Sequence, residues 1–256
     1  MRPQFLDTNW YWTWQNIELN SEKLPGYKLI VQVMQDAMKF ELDGKLIRFP
    51  VTAKQQQEIA DKVGGIFHTT KTSDQRHLQA NTKIRPVIQT PPNSGKITAL
   101  ANYIEYSKYV DLAINNKTKG NPGIVSSVGK PWILHNNLTL PDRRWGDNTC
   151  FNYGWYDEAA IYKNSIGLKL WQPIIGQNSP QVHNSDHSDP SQVCEFLNRD
   201  AILIYPDNKQ EVVDLRNIYT SITYWSFISY DGPLKVIRQP GTTEILGQFI
   251  LPTITV

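Results

Sequence analysis

The sequence predicts an α+β fold: a single domain with an N-terminal hairpin and helices, followed by a mainly antiparallel sheet. Asp43-Gly44 separates two runs of alternating apolar and polar residues, which is typical of a two-residue hairpin. Residues 53–63 follow a threonine and precede two glycines, which is the pattern of a capped helix. The later half of the chain holds mostly short β-branched and aromatic runs, and helices early with strands late favour this class.

The N-terminal elements come from local patterns. Residues 27–33 are β-branched and apolar and predict a strand, and residues 38–42 and 45–49 are the two arms of the hairpin. We treat residues 1–26 as a Trp-rich arm and residues 27–256 as one α+β domain.

Three helices are predicted between the hairpin and the middle of the chain. Thr52 is the expected N-cap of the first, and Gly64 its expected end. A second short helix opens near Thr69 and runs through Ala80. A third covers 97–114, where apolar residues recur at helical spacing.

The remaining elements are predicted mainly as strands, because their residues are β-branched, aromatic or apolar. The run at 212–219 is compatible with helix or strand. The predicted strands are 131–135, 150–156, 170–175, 201–205, 222–230 and 249–256.

Charge and length exclude several classes of protein. The chain has 256 residues, and its 26 basic and 24 acidic residues give a net charge of +2. No broad attraction to nucleic acid or to an acidic membrane follows from so small a charge. No apolar stretch approaches the roughly 20 residues of a membrane helix, and the N-terminus lacks a signal-peptide pattern. We expect a cytoplasmic or virion-associated protein.

Two cysteines are too few for a disulfide framework. Cys150 and Cys194 are interpreted as reduced, mostly buried thiols, with a single bridge between them as the alternative.

Reactive side chains concentrate in residues 180–194, which hold two of the five histidines, two aspartates and three serines. His183 has the right chemistry for a general base, Asp189 could orient it, and Ser191 could attack a substrate. Acid–base hydrolysis by His183 and Asp189 with a water nucleophile is a second interpretation. Lys71 could stabilise an oxyanion.

The same loop allows two other interpretations. His183, Asp186, His187 and Asp189 are all potential ligands for zinc, manganese or iron, and His135 could complete the set. Asp, Ser, Asn and Pro are also common loop formers, so the segment could be a structural loop or the start of a short helix.

Alternating tryptophans mark the N-terminal arm. Trp10, Trp12 and Trp14 would share one face of a strand, and that face could contact a glycan or a partner protein. The alternative is that the arm packs on its own domain.

Three stretches together resemble a family of uncharacterised bacterial and phage-associated proteins. The first is the hairpin with the helix at 51–61, and the second is Thr70-Lys71 followed by Asp74. The third is Gln172-Pro173-Ile174, followed by a His, an Asp six residues on and a Ser two beyond. These last positions are His183, Asp189 and Ser191.

The resemblance spans roughly 38–240 and continues to the segment at 212–215. It implies that Lys71, Asp74, His183, Asp189 and Ser191 form the site, without naming a reaction. The chain departs from the family by a proline after Asp189, where the family has an aromatic residue, and by Gln-Val in place of His-Gly after Ser191.

Two functions are consistent with these features of the sequence. One is a hydrolase of a glycan or cell-wall-like polymer, suggested by eight Trp and twelve Tyr, with Tyr153, Trp155 and Trp171 as substrate-binding residues. The other is a phage or particle component that binds neighbours through its Trp-rich arm. No glycine-rich nucleotide motif is present, so no nucleotide cofactor is expected, while a divalent metal stays open.

Overall fold

The computed structural model describes residues 9–87, 100–139, 145–156 and 181–243. Strand β3 (Lys28–Met34) lies at the centre of the largest sheet in these residues. Its alternating residues Leu29, Val31 and Val33 are fully buried, as expected for a strand with one face on the core. Strand β2 (Trp14–Asn20) pairs antiparallel with the whole of β3.

The other edge of β3 is shared by two strands from late in the chain. Strand β13 (Asp200–Ile204) pairs with its first half, and β12 (Leu197–Asn198) pairs at Val33. Strand β14 (Gln210–Asp214) extends the sheet beyond β13, and β6 (Gly65–Ile66) extends it beyond β12. All these pairs are antiparallel, which confirms the predicted α+β class.

The hairpin is confirmed as β4 (Lys39–Leu42) and β5 (Lys45–Ile47). Both turn residues are left-handed, with φ of 49° at Asp43 and 72° at Gly44, which is the conformation that a two-residue turn needs. Strand β1 (Trp10–Tyr11) pairs with the outer edge of β4.

Helices α1 (Ala53–Val63) and α2 (Thr70–Gln79) agree with their predictions. The Thr52 hydroxyl accepts the Gln55 N–H, the Gln55 side chain bonds back to the Thr52 N–H, and Gly64 ends α1 at a φ of 64°. Helix α3 is Leu100–Lys117, and α4 (Leu215–Thr220) follows β14 directly. The ambiguous segment at 212–219 therefore contains both a strand end and a helix.

A second sheet positions the candidate site. It contains β9 (Trp132–Ile133), β10 (Thr149–Asn152) and β11 (Gln181–Asn184), with β10 in the centre and both pairings antiparallel. A short parallel pair, β7 (Thr82–Lys83) and β8 (Val125–Ser126), lies after α2.

The strand predicted at 222–230 is wrong. The segment forms turns and a 3-10 helix, Trp225–Phe227. The Ser221 hydroxyl accepts the N–H groups of Thr223 and Tyr224, at 3.1 and 3.0 Å, and this local bonding bends the backbone out of an extended path. The predicted strands at 170–175 and 249–256 lie outside the described residues.

The predicted common strand face of the three tryptophans is also wrong. Trp10 lies in β1 and Trp14 in β2, which belong to different sheets, and Trp12 lies between them. All three rings are half-buried and pack against the main hydrophobic core. Within the described ranges, no helix is both long and apolar enough to cross a membrane.

Candidate functional site

Strand β11 and the turn after it bring two histidines together. His183 lies in β11, which ends at Asn184. The Asn184 side chain accepts the Asp186 N–H at 2.9 Å, and the His187 N–H bonds the Asn184 carbonyl at 2.9 Å. The chain therefore folds back, and the His187 ring stacks on His183 with centroids 4.7 Å apart and planes 6° from parallel. Trp132 contacts His183 edge-on at 5.8 Å.

Asp189 links a histidine to the predicted serine. Its Oδ2 lies 3.3 Å from His187 Nε2, while its Oδ1 accepts the Ser191 N–H at 2.8 Å and the Ser191 hydroxyl at 2.5 Å. The Asp189 N–H bonds Gln192 Oε1 at 2.7 Å. Because Ser191 donates its proton to the carboxylate, it is not activated by a histidine, so the structure does not form the predicted Ser191–His183–Asp189 triad. Residues 190–191 form a turn and not the start of a helix.

A buried lysine, which sequence reasoning did not select, adds charge to this group. The Lys130 N–H bonds the Ser191 carbonyl at 2.6 Å, and its ammonium lies 4.8 Å from the centre of the Trp155 ring. Burial opposes ionisation of Asp189, but the bond from His187, the charge of Lys130 and the bonds from Ser191 together hold its pKa below the usual range. Burial lowers the pKa of Lys130, against the charge of Asp189. Asp189 is therefore ionised at neutral pH.

The four predicted metal ligands do not form a ligand set. Asp186 is 65% exposed at its side chain and pairs with Lys54 Nζ at 2.9 Å, and Asp189 is occupied by His187 and Ser191. His135 accepts a backbone N–H two residues on, at 3.1 Å. In the described part of the chain, no three His, Cys, Asp or Glu side chains are placed to hold a metal ion.

Asp74 is the centre of a second polar group. It is fully buried, and its Oδ1 accepts the hydroxyls of Tyr153 at 2.8 Å and Tyr156 at 2.7 Å. Its Oδ2 accepts the Tyr230 hydroxyl at 2.7 Å. Burial, and then the charge of Asp74, raise the pKa of all three tyrosines, so each stays protonated and donates to the carboxylate.

Lys71 lies at the edge of this second group. Its ammonium donates to the Ser226 carbonyl and lies 5.6 Å from the centre of the Tyr230 ring. Burial lowers the pKa of Lys71. Of the predicted site residues, the structure thus brings Lys71, Asp74 and Tyr153 together in one group and His183, Asp189 and Ser191 in another.

Two of the predicted substrate-binding residues are buried, and each contacts a residue of one of the two polar groups. Tyr153 and Trp155 are both buried, the first against Asp74 and the second beneath Lys130. Trp171 lies outside the described residues.

Both cysteines are buried and free, which confirms the prediction of reduced thiols. Burial raises the pKa of Cys150 and of Cys194 above its usual range, so neither is an activated nucleophile. The Cys150 thiol contacts the His183 carbonyl at 3.3 Å and so supports β11.

Comparison of the chain with protein-family models, curated proteins and solved structures gave no match. The resemblance to uncharacterised bacterial and phage-associated proteins therefore stays a prediction.

Proposed function

We propose that the protein is a hydrolase in which His187, held by Asp189, acts as a general base on a water molecule. The observation that carries the proposal is the 3.3 Å contact between Asp189 Oδ2 and His187 Nε2, whose side chain is 41% exposed. An imidazole ring can take a proton from a water molecule, and an ionised carboxylate both orients the ring and stabilises its protonated form.

The neighbouring residues have supporting roles in this proposal. Ser191 and Gln192 hold Asp189 through three hydrogen bonds, so its Oδ2 keeps one direction towards His187. His183 stacks on the other ring and limits its rotation. Water is the nucleophile, because the Ser191 hydroxyl is committed to the carboxylate. A glycan or cell-wall-like polymer remains the proposed substrate.

The test is hydrolysis of peptidoglycan and of neutral sugar oligomers by single-residue variants. We expect His187→Ala to reduce kcat on the order of 100-fold, the lower range for a general base, with an unchanged circular dichroism spectrum. His183→Ala should have a smaller effect. Asp186→Ala is the matched control from the same loop, because Asp186 faces solvent and Lys54, and it should keep full activity. Wild-type activity in His187→Ala would exclude this residue as the base.

Binding by a particle component is the second candidate function. Trp10, Trp12 and Trp14 are only half-buried, and β1 at the edge of its sheet carries the 38% exposed Tyr11, so this surface could receive a neighbouring protein or a glycan. The experiment is light scattering of the wild type and of Trp12→Ala. Loss of an assembly in the variant supports the candidate, and a monomer in both cases contradicts self-association through this surface.

A further inference from the structure

A cavity of about 530 Å³ lies beside the candidate active loop. Its walls are Leu138, Asp147 and the segment 236–241. The volume falls in the range of small-molecule sites, which are typically a few hundred cubic ångströms.

A residue next to each rim of the cavity is hydrogen-bonded to the residues that precede His187. On one rim, Asn148, the neighbour of Asp147, accepts the Ser185 N–H at 2.7 Å. On the other, a Cβ at Gly241 would lie 3.4 Å from Lys54, whose ammonium bonds Asp186 at 2.9 Å. A ligand in the cavity would therefore lie next to the loop that carries the proposed base.

Two adjacent lining residues offer unused hydrogen-bonding atoms. Gln239 is 2% exposed, and its Nε2 donates to the Ile133 carbonyl, but its buried Oε1 has no hydrogen-bond partner among the described residues. The buried Nε of Arg238 likewise has none there. A buried acceptor and a buried donor left without partners are costly, and a rotation of either side chain towards the cavity would let a ligand hydroxyl satisfy it, because a hydroxyl both donates and accepts.

The charge and the apolar residues of the lining restrict the chemical class of the ligand. The Arg238 guanidinium forms two bonds to Asp61, at 2.9 and 2.8 Å, so its charge is already matched and does not favour an anion. The apolar lining residues suit the C–H face of a ring; they are Leu138, Val236, Ile237 and Pro240. We propose that this cavity binds a neutral sugar unit of the substrate, an inference that rests on the proposed hydrolase function.

The experiment measures binding of a neutral N-acetylglucosamine tetramer by calorimetry, separately from hydrolysis. We expect saturable binding by the wild type and by His187→Ala, because the base does not line the cavity. Leu138→Trp, which fills the cavity from its wall, should weaken binding at least about 10-fold. Gln239→Met, which removes the free acceptor at similar volume, should also weaken it. Leu112→Trp adds the same bulk at an exposed position of α3 and should bind as the wild type does.

The outcomes separate the two proposals. Binding that is lost in Leu138→Trp, together with no hydrolysis by the wild type, would support the cavity and contradict the hydrolase. Hydrolysis that depends on His187 but is unchanged in Leu138→Trp would overturn the cavity alone. Absence of saturable binding by the wild type at millimolar tetramer would also overturn it.

Discussion

Replacing Asp74 with alanine is expected to lower the free energy of unfolding by about 3–5 kcal/mol. The substitution leaves the hydroxyls of Tyr153, Tyr156 and Tyr230 without their acceptor, and a buried polar group that loses its partner costs roughly 1–3 kcal/mol. Urea unfolding, followed by tryptophan fluorescence, gives the difference directly from the midpoint and the slope.

Tyr230→Phe is the matched control for this prediction. It removes only one of the three bonds, from the tyrosine that is 37% exposed, so we expect a loss of about 1 kcal/mol. If Asp74→Ala were as stable as Tyr230→Phe, the carboxylate would not be the centre of a buried network.

The second large effect is a loss of stability with rising pH that depends on Glu195. This side chain is buried, with its Oε1 3.3 Å from Arg76. Burial, together with the Asp36 charge, raises its pKa to about 7 in spite of the Arg76 charge. Above its ordinary pKa of 4.5 the unfolded chain releases the proton, while the folded protein retains it up to about pH 7. Folding stability therefore falls across this window, by about 3 kcal/mol, and is constant for this group at higher pH.

Glu195→Gln isolates this contribution because the other titrating groups are common to both proteins. Arg76 also donates to the Met34 carbonyl, at 3.3 and 3.2 Å, and these bonds do not involve Glu195. Between pH 5 and pH 8 we expect the wild type to lose about 2.5 kcal/mol relative to Glu195→Gln in urea unfolding. Parallel pH profiles of the two proteins would show that Glu195 titrates as an ordinary carboxyl.

Elements encoded by neighbouring residues could be predicted from the sequence. Thr52 starts its helix through a side-chain hydrogen bond. Gly64 and the Asp43-Gly44 turn adopt left-handed φ angles, and the structure agrees with the prediction at each position. The run at 222–230 could not be assigned from composition, because the turn at its start depends on two hydrogen bonds to the Ser221 side chain, which composition does not reveal.

The candidate site was located by its composition, but its pairings were not predicted. Six residues separate His183 from Asp189, yet the turn after Asn184 places His187 against the carboxylate and leaves His183 as its stacking neighbour. The tyrosines around Asp74 come from distant parts of the chain, and Lys130 resembles any isolated basic residue until its burial is known. Such contacts depend on the whole fold, which local spacing does not encode.

The position of β3 constrains the order in which the protein can acquire its structure. Ile30 pairs with Ile202, and Val33 pairs with Leu197. The pairing of the central strand on this edge therefore cannot form until residues 197–204 have been synthesised. Until then β3 can pair only with β2, and a lone two-stranded unit is marginally stable in water. Contacts between such distant residues slow folding and leave apolar strand edges open in the nascent chain. Synthesis of this protein should therefore be sensitive to chaperone supply, more than its final stability would suggest.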